Sequence, residues 1–382
     1  MSKKMEFKIG IVAPSRIGKT SLVTALLSDS QKLLAGTPVV IKANDLKTTA
    51  KINQHKSELR GSLREGEFNT GAMQGTQESF EFNLLLKHTE QDDSNGMVLR
   101  LLDFPGGWMN EIQLGNDGKS EQAKCAQFIR ESSVLFVVVD ASILMEASGP
   151  SQRKAINGIL NVPATEDIVR EWAKSKANSP DDPALLLICP VKCESYFNDN
   201  GGGKDQANKL LEVVMDDVYR ELLPIVKEEG ANQAEIMYMP VDTLGCVEFV
   251  SAHWEKDPSA DGGYIVNPHF KVRKNAKESV KGADDVLIAI AKQLVSANTR
   301  RKKMEADGID SDAKKAMRQA AEDKYWFQKL FGYETAAEKE AKARQAKAKS
   351  AISEAESLGE VVQWLSDRQF GSRVRSIRKG QA

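Results

Sequence analysis

The chain has 382 residues, a net charge of −1, and 41% hydrophobic and 28% charged residues. A net charge so close to zero gives no overall attraction to nucleic acid, so we expect no specific nucleic-acid partner. The composition is that of an ordinary folded protein, and the length allows one large α/β domain or two to three average domains.

Targeting and redox features predict a cytoplasmic protein. The first residues, Met-Ser-Lys-Lys-Met-Glu-Phe, contain no apolar stretch of signal-peptide length, and no run in the chain approaches the roughly 20 apolar residues that span a bilayer. The cysteines are scattered without zinc-site spacing, and reduced core thiols are the simplest role for Cys125, Cys189, Cys193 and Cys246.

The most informative stretch lies near the start of the chain. A short apolar run at 7–12 predicts a buried strand, which leads directly into Ala13-Pro-Ser-Arg-Ile-Gly18-Lys19-Thr20. These residues follow the phosphate-binding pattern G-x-x-x-x-G-K-[ST], with Ala13 in place of the first glycine. A chance match after a strand is the alternative, and features farther along the chain count against it.

Each part of this loop has a predicted task in holding a polyphosphate. Backbone N–H groups would surround the phosphates, and a helix predicted at 19–34 would direct the positive end of its dipole toward them. Lys19 would reach the β- and γ-phosphates, and the Thr20 hydroxyl would bind Mg²⁺. The predicted nucleotide contacts are Ser15, Arg16, Ile17, Gly18, Lys19, Thr20 and Ser21.

The next segment, 36–76, has helical periodicity at 44–64 and then becomes polar and glycine-containing, as functional or mobile loops do. Strands at 79–87 and 96–102 predict a hairpin, and the second strand leads into Asp103-Phe-Pro-Gly106-Gly107. The Asp103 carboxylate would hold Mg²⁺ through water, and the Gly106 N–H would contact the γ-phosphate. A helix cap is the alternative role for Asp103.

Farther along, buried strands alternate with helices, which predicts a mostly parallel sheet with one antiparallel hairpin near its edge. Residues 146–164 are expected to be irregular, and Thr165 is expected to cap a helix at 165–174. The other predicted elements are helices at 118–131, 204–229 and 282–303, strands at 133–140, 184–190 and 234–241, and a β-ribbon at 246–270.

The predicted strand at 184–190 ends in Val191-Lys192-Cys193-Glu194, whose two charged residues suit the recognition of a purine base. The stem of Lys192 would lie over the base. The Glu194 carboxylate would accept hydrogen bonds from N1–H and the 2-amino group of guanine. A solvated turn is the alternative for both side chains.

In this order, Ala13–Thr20, Asp103-x-x-Gly106 and Val191–Glu194 resemble the G1, G3 and G4 motifs of the Ras-like GTPase superfamily. The first of these loops and the long segment before the hairpin resemble the bacterial double-GTPase families more than small eukaryotic switches. The resemblance covers about residues 5–300, and Asp242-Thr-Leu-Gly245 lies where the G5 loop would contact the base.

The resemblance implies a three-layer P-loop NTPase fold, GTP and GDP as ligands and Mg²⁺ as cofactor. It further implies that Lys19, Asp103 and Gly106 are the catalytic residues of a GTPase. The threonine of switch I that binds Mg²⁺ is expected at Thr76 rather than at Thr70.

Two departures from the family pattern bear on activity. Glu194 replaces the usual aspartate, so an ATP-using P-loop enzyme stays an alternative. Gly107 stands where many members have the glutamine that orients the attacking water. This glycine implies slow hydrolysis. The alternative is a scaffold that binds nucleotide and does not hydrolyse it.

We expect a P-loop GTPase-like domain at 5–303, in which 36–76 is a helical switch I insertion. A helical extension is expected at 304–382, and its end is expected to be a solvated basic tail. Protein partners would bind through the switch loops, where Trp108 and Met109 are predicted to pack differently in the two nucleotide states, and through the C-terminal helices. Nucleotide-dependent oligomers are an expectation from the family, and contact with a membrane surface is the minor alternative.

Overall fold

The computed structural model describes most of the chain up to residue 306 and a short segment near its C-terminal end. The described residues are 6–33, 39–64, 66–69, 77–88, 93, 97–114, 120–180, 182–200, 203, 205–256, 264–274, 278–306 and 363–380. Within these ranges, no helix has both the length and the apolar character that crossing a membrane requires.

Two β-sheets form the framework of the described residues. In chain order the strands are β1 (Glu6–Val12), β2 (Val39–Ala43), β3 (Glu67–Asn69), β4 (Phe80–His88), β5 (Met97–Asp103), β6 (Val134–Asp140), β7 (Leu185–Val191), β8 (Glu235–Tyr238), β9 (Val247–Lys256), β10 (Tyr264–Val272) and β11 (Arg375–Arg378). The main sheet has eight strands in the order β11-β8-β7-β6-β1-β5-β4-β2, and the second sheet has the order β3-β10-β9.

The middle of the main sheet is parallel, as the sequence predicted. β5, β1, β6, β7 and β8 pair in parallel, whereas β4, β2 and β11 join through antiparallel pairs at the two edges. Every residue of β6 and β7 is buried, which explains their continuous apolar sequences, because helices cover both faces of a parallel sheet. The predicted β-ribbon at 246–270 is confirmed as the β9–β10 hairpin.

The helices are α1 (Lys19–Leu33), α2 (Leu46–Arg64), α3 (Met109–Leu114), α4 (Glu121–Glu131), α5 (Ala141–Glu146), α6 (Pro150–Ile159), α7 (Val162–Ala177), α8 (Ala207–Glu212), α9 (Leu222–Glu228) and α10 (Ala283–Ala306). They pack in two groups, α1 with α2 and α10, and α7 with α3, α4, α6 and α9. This grouping, with the sheet, is consistent with a three-layer α/β architecture.

The prediction that 146–164 is irregular is wrong, because α6 occupies most of it and α7 begins before Thr165. Pro150 is the first residue of α6, a position where the missing N–H of proline costs no hydrogen bond. Asn161, in the left-handed region (φ 46), precedes α7, and Thr165 lies inside that helix and donates to the Asn161 carbonyl (3.1 Å). The predicted cap at Thr165 is therefore wrong.

Two further predictions need correction. The single helix expected at 204–229 is divided into α8, a π-helical turn at Val213–Val218, and α9. The segment 36–76 is more than a helical insertion, because β2 extends the main sheet and β3 pairs with β10 in the second sheet. Thr76 and Thr70, the candidates for the switch I threonine, lie outside the described residues.

The segment 363–380 returns to the main sheet. Its short helix at 363–367 buries Leu365, and β11 pairs with β8, so the predicted solvated basic tail is wrong for these residues. Arg373, which precedes β11, is only 7% exposed. The aromatic cluster at 325–331 and the Ala/Glu/Lys-rich stretch at 334–357 lie outside the described residues.

Candidate functional site

The loops that carry the predicted motifs lie at one edge of the main sheet. They follow the carboxyl ends of β1, β5, β7 and β8, which are parallel neighbours or near neighbours. In open α/β sheets this edge is where ligands bind. We refer to residues Ala13–Thr20 as loop 13–20, to Asp103–Gly107 as loop 103–107, and to Asp242–Gly245 as loop 242–245.

Loop 13–20 connects β1, at the centre of the sheet, to α1. Arg16 (φ 66) and Gly18 (φ 116) adopt left-handed backbone conformations, which are rare for a residue such as arginine. Left-handed residues within such a turn direct successive N–H groups into an anion-binding concavity, and the first turn of a helix adds further free N–H groups. The backbone shape therefore suits a phosphate group.

Lys19 is 4% exposed and lies along the inside of this loop. Its Nζ donates to the Ala13 carbonyl (2.8 Å) and the Pro14 carbonyl (3.2 Å), and lies 4.0 Å from Asp103 Oδ1. Burial lowers the pKa of Lys19, while the Asp103 carboxylate acts in the opposite direction. An ammonium group has three donors, so one remains for an anion. A bound phosphate would stabilise this buried charge.

Thr20 joins loop 13–20 to loop 103–107. Its Oγ1 donates to Asp103 Oδ2 (3.0 Å), and Asp103 is fully buried at the end of β5. A hydroxyl and a carboxylate oxygen are ligands that Mg²⁺ accepts, and this ion usually takes only one or two protein ligands together with water and phosphate. The described residues contain no cluster of three metal-ligating side chains, so the pair Thr20 and Asp103 fits Mg²⁺ held jointly with a nucleotide.

The glycines of loop 103–107 differ sharply in their surroundings. A Cβ atom on Gly106 would lie 2.0 Å from Ser15 N and 2.3 Å from Pro14 C, so this glycine rests directly on the backbone of loop 13–20. A Cβ on Gly107 would meet nothing within 4 Å among the described residues. Gly106 is thus required by close approach, whereas Gly107 leaves open space beside the site.

The two residues that follow loop 103–107 pack into the interior of the protein. Trp108 ends a 3-10 turn and packs against the core, and Met109 is fully buried at the start of α3. Any movement of Gly106 would therefore be transmitted to two large apolar side chains.

Lys192 lies against the outer side of loop 13–20. It has a left-handed backbone (φ 56), and its Nζ donates to the Arg16 carbonyl (3.1 Å) and to Asp140 Oδ2 (2.5 Å). Asp140 ends β6, and its other carboxylate oxygen caps α5. The sequence prediction missed Asp140, although an aspartate directly after a buried strand is a usable signal for a site residue.

Glu194 is 1% exposed, so the structure does not support a solvated turn at this position. Its Oε1 accepts hydrogen bonds from Leu244 N (3.2 Å) and Gly245 N (3.3 Å), and its Oε2 has no hydrogen-bond partner within the described part of the chain. Burial and the charge of Asp242 raise the pKa of Glu194 to about 7. The structure thus joins Val191–Glu194 to loop 242–245, and it leaves one buried acceptor atom for a donor.

Ser21 contacts a residue to which the sequence gave no role. Its Oγ lies 3.1 Å from Nε2 of His55, which is 8% exposed on the face of α2 that packs toward α1. Burial lowers the pKa of His55, so the imidazole is neutral at neutral pH. The helical segment before the hairpin is therefore tied to α1 next to Thr20.

A search with protein-family models and a search of curated protein sequences both gave no match.

Proposed function

We propose that the chain is a Mg²⁺-dependent GTP-binding protein that hydrolyses GTP slowly and acts as a nucleotide-dependent switch for a partner complex. The observation that carries this proposal is that the side chains of Lys19, Thr20 and Asp103 lie close together. Thr20 Oγ1 donates to Asp103 Oδ2 (3.0 Å), and Lys19 Nζ lies 4.0 Å from the same carboxylate. A buried ammonium, a hydroxyl and a strand-end carboxylate in one place are the groups that bind a triphosphate with Mg²⁺.

The residues of the chain would divide the work as follows. The N–H groups of loop 13–20 and Lys19 would hold phosphate oxygens, and Thr20 and Asp103 would hold the ion. Mg²⁺ supplies positive charge that neutralises the β- and γ-phosphate oxygens. Lys19 adds a charge that is already in position before the reaction, so the site stabilises the developing charge without rearrangement.

The switch itself would consist of loop 103–107 and the residues that follow it. Gly106 is in backbone contact with Pro14 and Ser15, so a change in loop 13–20 passes directly to Trp108 and Met109. Rearrangement of such a segment by the γ-phosphate is a common way in which nucleotide state changes a partner surface.

Guanine recognition is assigned to Lys192 and Glu194. The ionised Glu194 carboxylate accepts from N1–H and the 2-amino group, and adenine offers no such donor pair. Since the pKa of Glu194 is about 7, its ionised fraction falls on acidification. We expect GDP affinity to fall about tenfold between pH 8 and pH 6 in isothermal titration.

The matched variant for this pH dependence is Glu194→Gln. It keeps the side-chain volume and removes the titrating group, so its GDP affinity is expected to be weaker than that of the wild type at pH 8 and nearly constant with pH. A wild-type affinity that does not change between pH 6 and pH 8 would contradict the role of Glu194 in binding the base.

Position 107 has a glycine where many family members have a glutamine that orients the attacking water, so a glutamine placed there is expected to raise the rate of hydrolysis. Among the described residues nothing lies within 4 Å of a Cβ atom at position 107, and its backbone is not left-handed, so a side chain can start there without backbone strain. We expect Gly107→Gln to raise single-turnover GTP hydrolysis at least about tenfold over the wild type, because an amide can orient the attacking water. Gly107→Ala is the control, and its rate is expected to match the wild type. An unchanged rate in Gly107→Gln would mean that water orientation does not limit hydrolysis.

The experiment that tests the proposed function is phosphate release from GTP under single-turnover conditions, with and without Mg²⁺. We expect slow release that depends on Mg²⁺ and is lost in Thr20→Ala. Tight GTP binding with no release would favour the non-hydrolysing scaffold, and release from ATP in preference to GTP would favour an ATP-using enzyme.

A further inference from the structure

Arg373 reaches the candidate base-binding region from the C-terminal segment. It is 7% exposed, and its guanidinium lies over the ring of Phe197, 4.0 Å from the centroid. It binds both carboxylate oxygens of Asp199 and donates to Asp242 Oδ2 (2.8 Å). Of all the described residues after 306, Arg373 is the one whose side chain bonds to loop 242–245.

Asp242, the first residue of loop 242–245, is the point on which several interactions converge. It is fully buried, and its carboxylate also accepts from Cys193 Sγ (3.1 Å) and from Asn200 Nδ2 (2.9 Å). Its backbone forms a bridge with Lys281. Arg373 is its ion-pair partner, so it supplies the positive charge that a buried carboxylate needs.

The same loop determines where the Glu194 carboxylate lies. Leu244 N and Gly245 N donate to Glu194 Oε1, and Arg273 Nη2 donates to the Glu194 carbonyl (2.8 Å). A Cβ atom on Gly245 would lie 1.8 Å from the Ser279 carbonyl oxygen, so the backbone of loop 242–245 packs directly against that residue. Glu194 is therefore held by a loop whose first residue is held by Arg373.

The charges around Arg373 indicate that this residue does more than fill space in the core. Glu194 and Asp242 are two buried carboxyl groups in one small volume, and the charge of Asp242 adds to burial in raising the pKa of Glu194. If Arg373 is removed, the Asp242 carboxylate loses its ion-pair partner, so less positive charge offsets its effect on Glu194 and the protonated form of Glu194 is favoured further. A protonated Glu194 cannot accept from both N1–H and the 2-amino group of guanine.

We propose that Arg373 is a positioning residue for base recognition, which holds loop 242–245 so that Glu194 reads the 2-amino group of guanine. This inference rests on the proposed function. Specificity for the base would then depend on a residue about 130 positions after the loop, in the C-terminal segment 363–380.

The test compares GDP with IDP, whose base lacks the 2-amino group, by isothermal titration with Mg²⁺. We expect the wild type to prefer GDP about tenfold, since one hydrogen bond to a buried carboxylate distinguishes the two ligands. Arg373→Ala is expected to weaken GDP binding more than IDP binding, because GDP loses two hydrogen bonds to Glu194 and IDP loses only the one from N1–H, so the preference disappears. A purely structural loss would weaken both nucleotides equally and leave the ratio unchanged.

The matched control is Arg375→Ala. Arg375 is exposed on the same segment, and within the described part of the chain its side chain donates to the nearby carbonyls of Ser372 and Val374. We expect its replacement to leave the GDP to IDP ratio unchanged. Arg373→Lys keeps the charge without the planar fork, so an intermediate ratio is expected. If Arg373→Ala does not fold, Arg373→Lys carries the same test.

Chemical rescue gives a second readout. Arg373 lines a cavity of about 470 Å³ together with Phe197, Asp199 and Tyr238, so a small ion has a route to the space that truncation creates. Millimolar guanidinium is expected to restore the GDP preference of Arg373→Ala and to leave the wild type unaffected. Equal weakening of GDP and IDP in Arg373→Ala, with no rescue, would overturn this inference. Failure of the wild type to bind either nucleotide would instead overturn the proposed function.

Discussion

Replacing Lys19 by Ala is expected to lower the affinity for GDP and GTP by about a hundredfold, which corresponds to roughly 3 kcal/mol. Lys19 is buried inside loop 13–20, and two of its donors are held by the Ala13 and Pro14 carbonyls. The remaining donor would make a charge-assisted hydrogen bond to phosphate in surroundings where water competes little. Equilibrium binding of fluorescent GDP in the presence of Mg²⁺ measures this loss.

The variant is expected to remain folded, because Asp103 still accepts a hydrogen bond from Thr20. Lys8→Ala is the matched control, since Lys8 lies on β1 and forms a surface ion pair with Glu131. We expect Lys8→Ala to change GDP affinity by less than about twofold. Equal affinities for GDP in wild type and Lys19→Ala would show that loop 13–20 does not bind the phosphates.

Gly106→Ala and Gly107→Ala are expected to behave very differently although the two residues are adjacent. The Cβ of Ala at 106 would lie 2.0 Å from Ser15 N and 2.3 Å from Pro14 C, and backbone atoms cannot yield as a flexible side chain can. We expect the free energy of unfolding to fall by about 1–3 kcal/mol and loop 103–107 to move off loop 13–20. GTP hydrolysis is expected to fall at least about a hundredfold, because Asp103 is displaced with the loop.

Gly107→Ala serves as the control, since its Cβ meets nothing within 4 Å among the described residues, and we expect a stability change within about 0.5 kcal/mol. Denaturant unfolding and phosphate release measure both quantities on the same preparations. If Gly106→Ala is as stable and as active as Gly107→Ala, the contact between the two loops has no part in the mechanism.

The sequence predicted those parts of the site in which a local pattern carries the information. The strand before Ala13 is apolar, the spacing from Gly18 to Thr20 matches a phosphate-binding loop, and β6 and β7 are continuous apolar runs. Because parallel strands present their carboxyl ends at one edge, the order of these elements brings Asp103 to Thr20 and Lys192 to loop 13–20.

The parts that were missed depend on pairing over long sequence distances. β11 and the preceding Arg373 lie in a basic stretch whose local composition is that of a solvated tail, and the partners of Arg373, Asp199 and Asp242, are far away in the chain. The link of His55 to the site is likewise long-range, because it depends on the contact with Ser21 on another helix.

Two other elements that were not predicted, β2 and α6, do have local sequence features that favour them. β2 carries Val39, Val40 and Ile41 after a proline, which favours a strand. The segment 146–164, which was expected to be irregular, contains Pro150 and Pro163, and proline is common in the first turn of a helix.

The most direct test of the central claim is a competition titration on the wild-type protein with fluorescent GDP and Mg²⁺, in which unlabelled GDP, GTP and ADP compete in turn. The proposed function predicts saturable GDP binding that GDP and GTP displace and that ADP does not, because Glu194 accepts from donors that only guanine presents. Displacement by ADP in preference to GDP, or no binding of GDP at all, would contradict it.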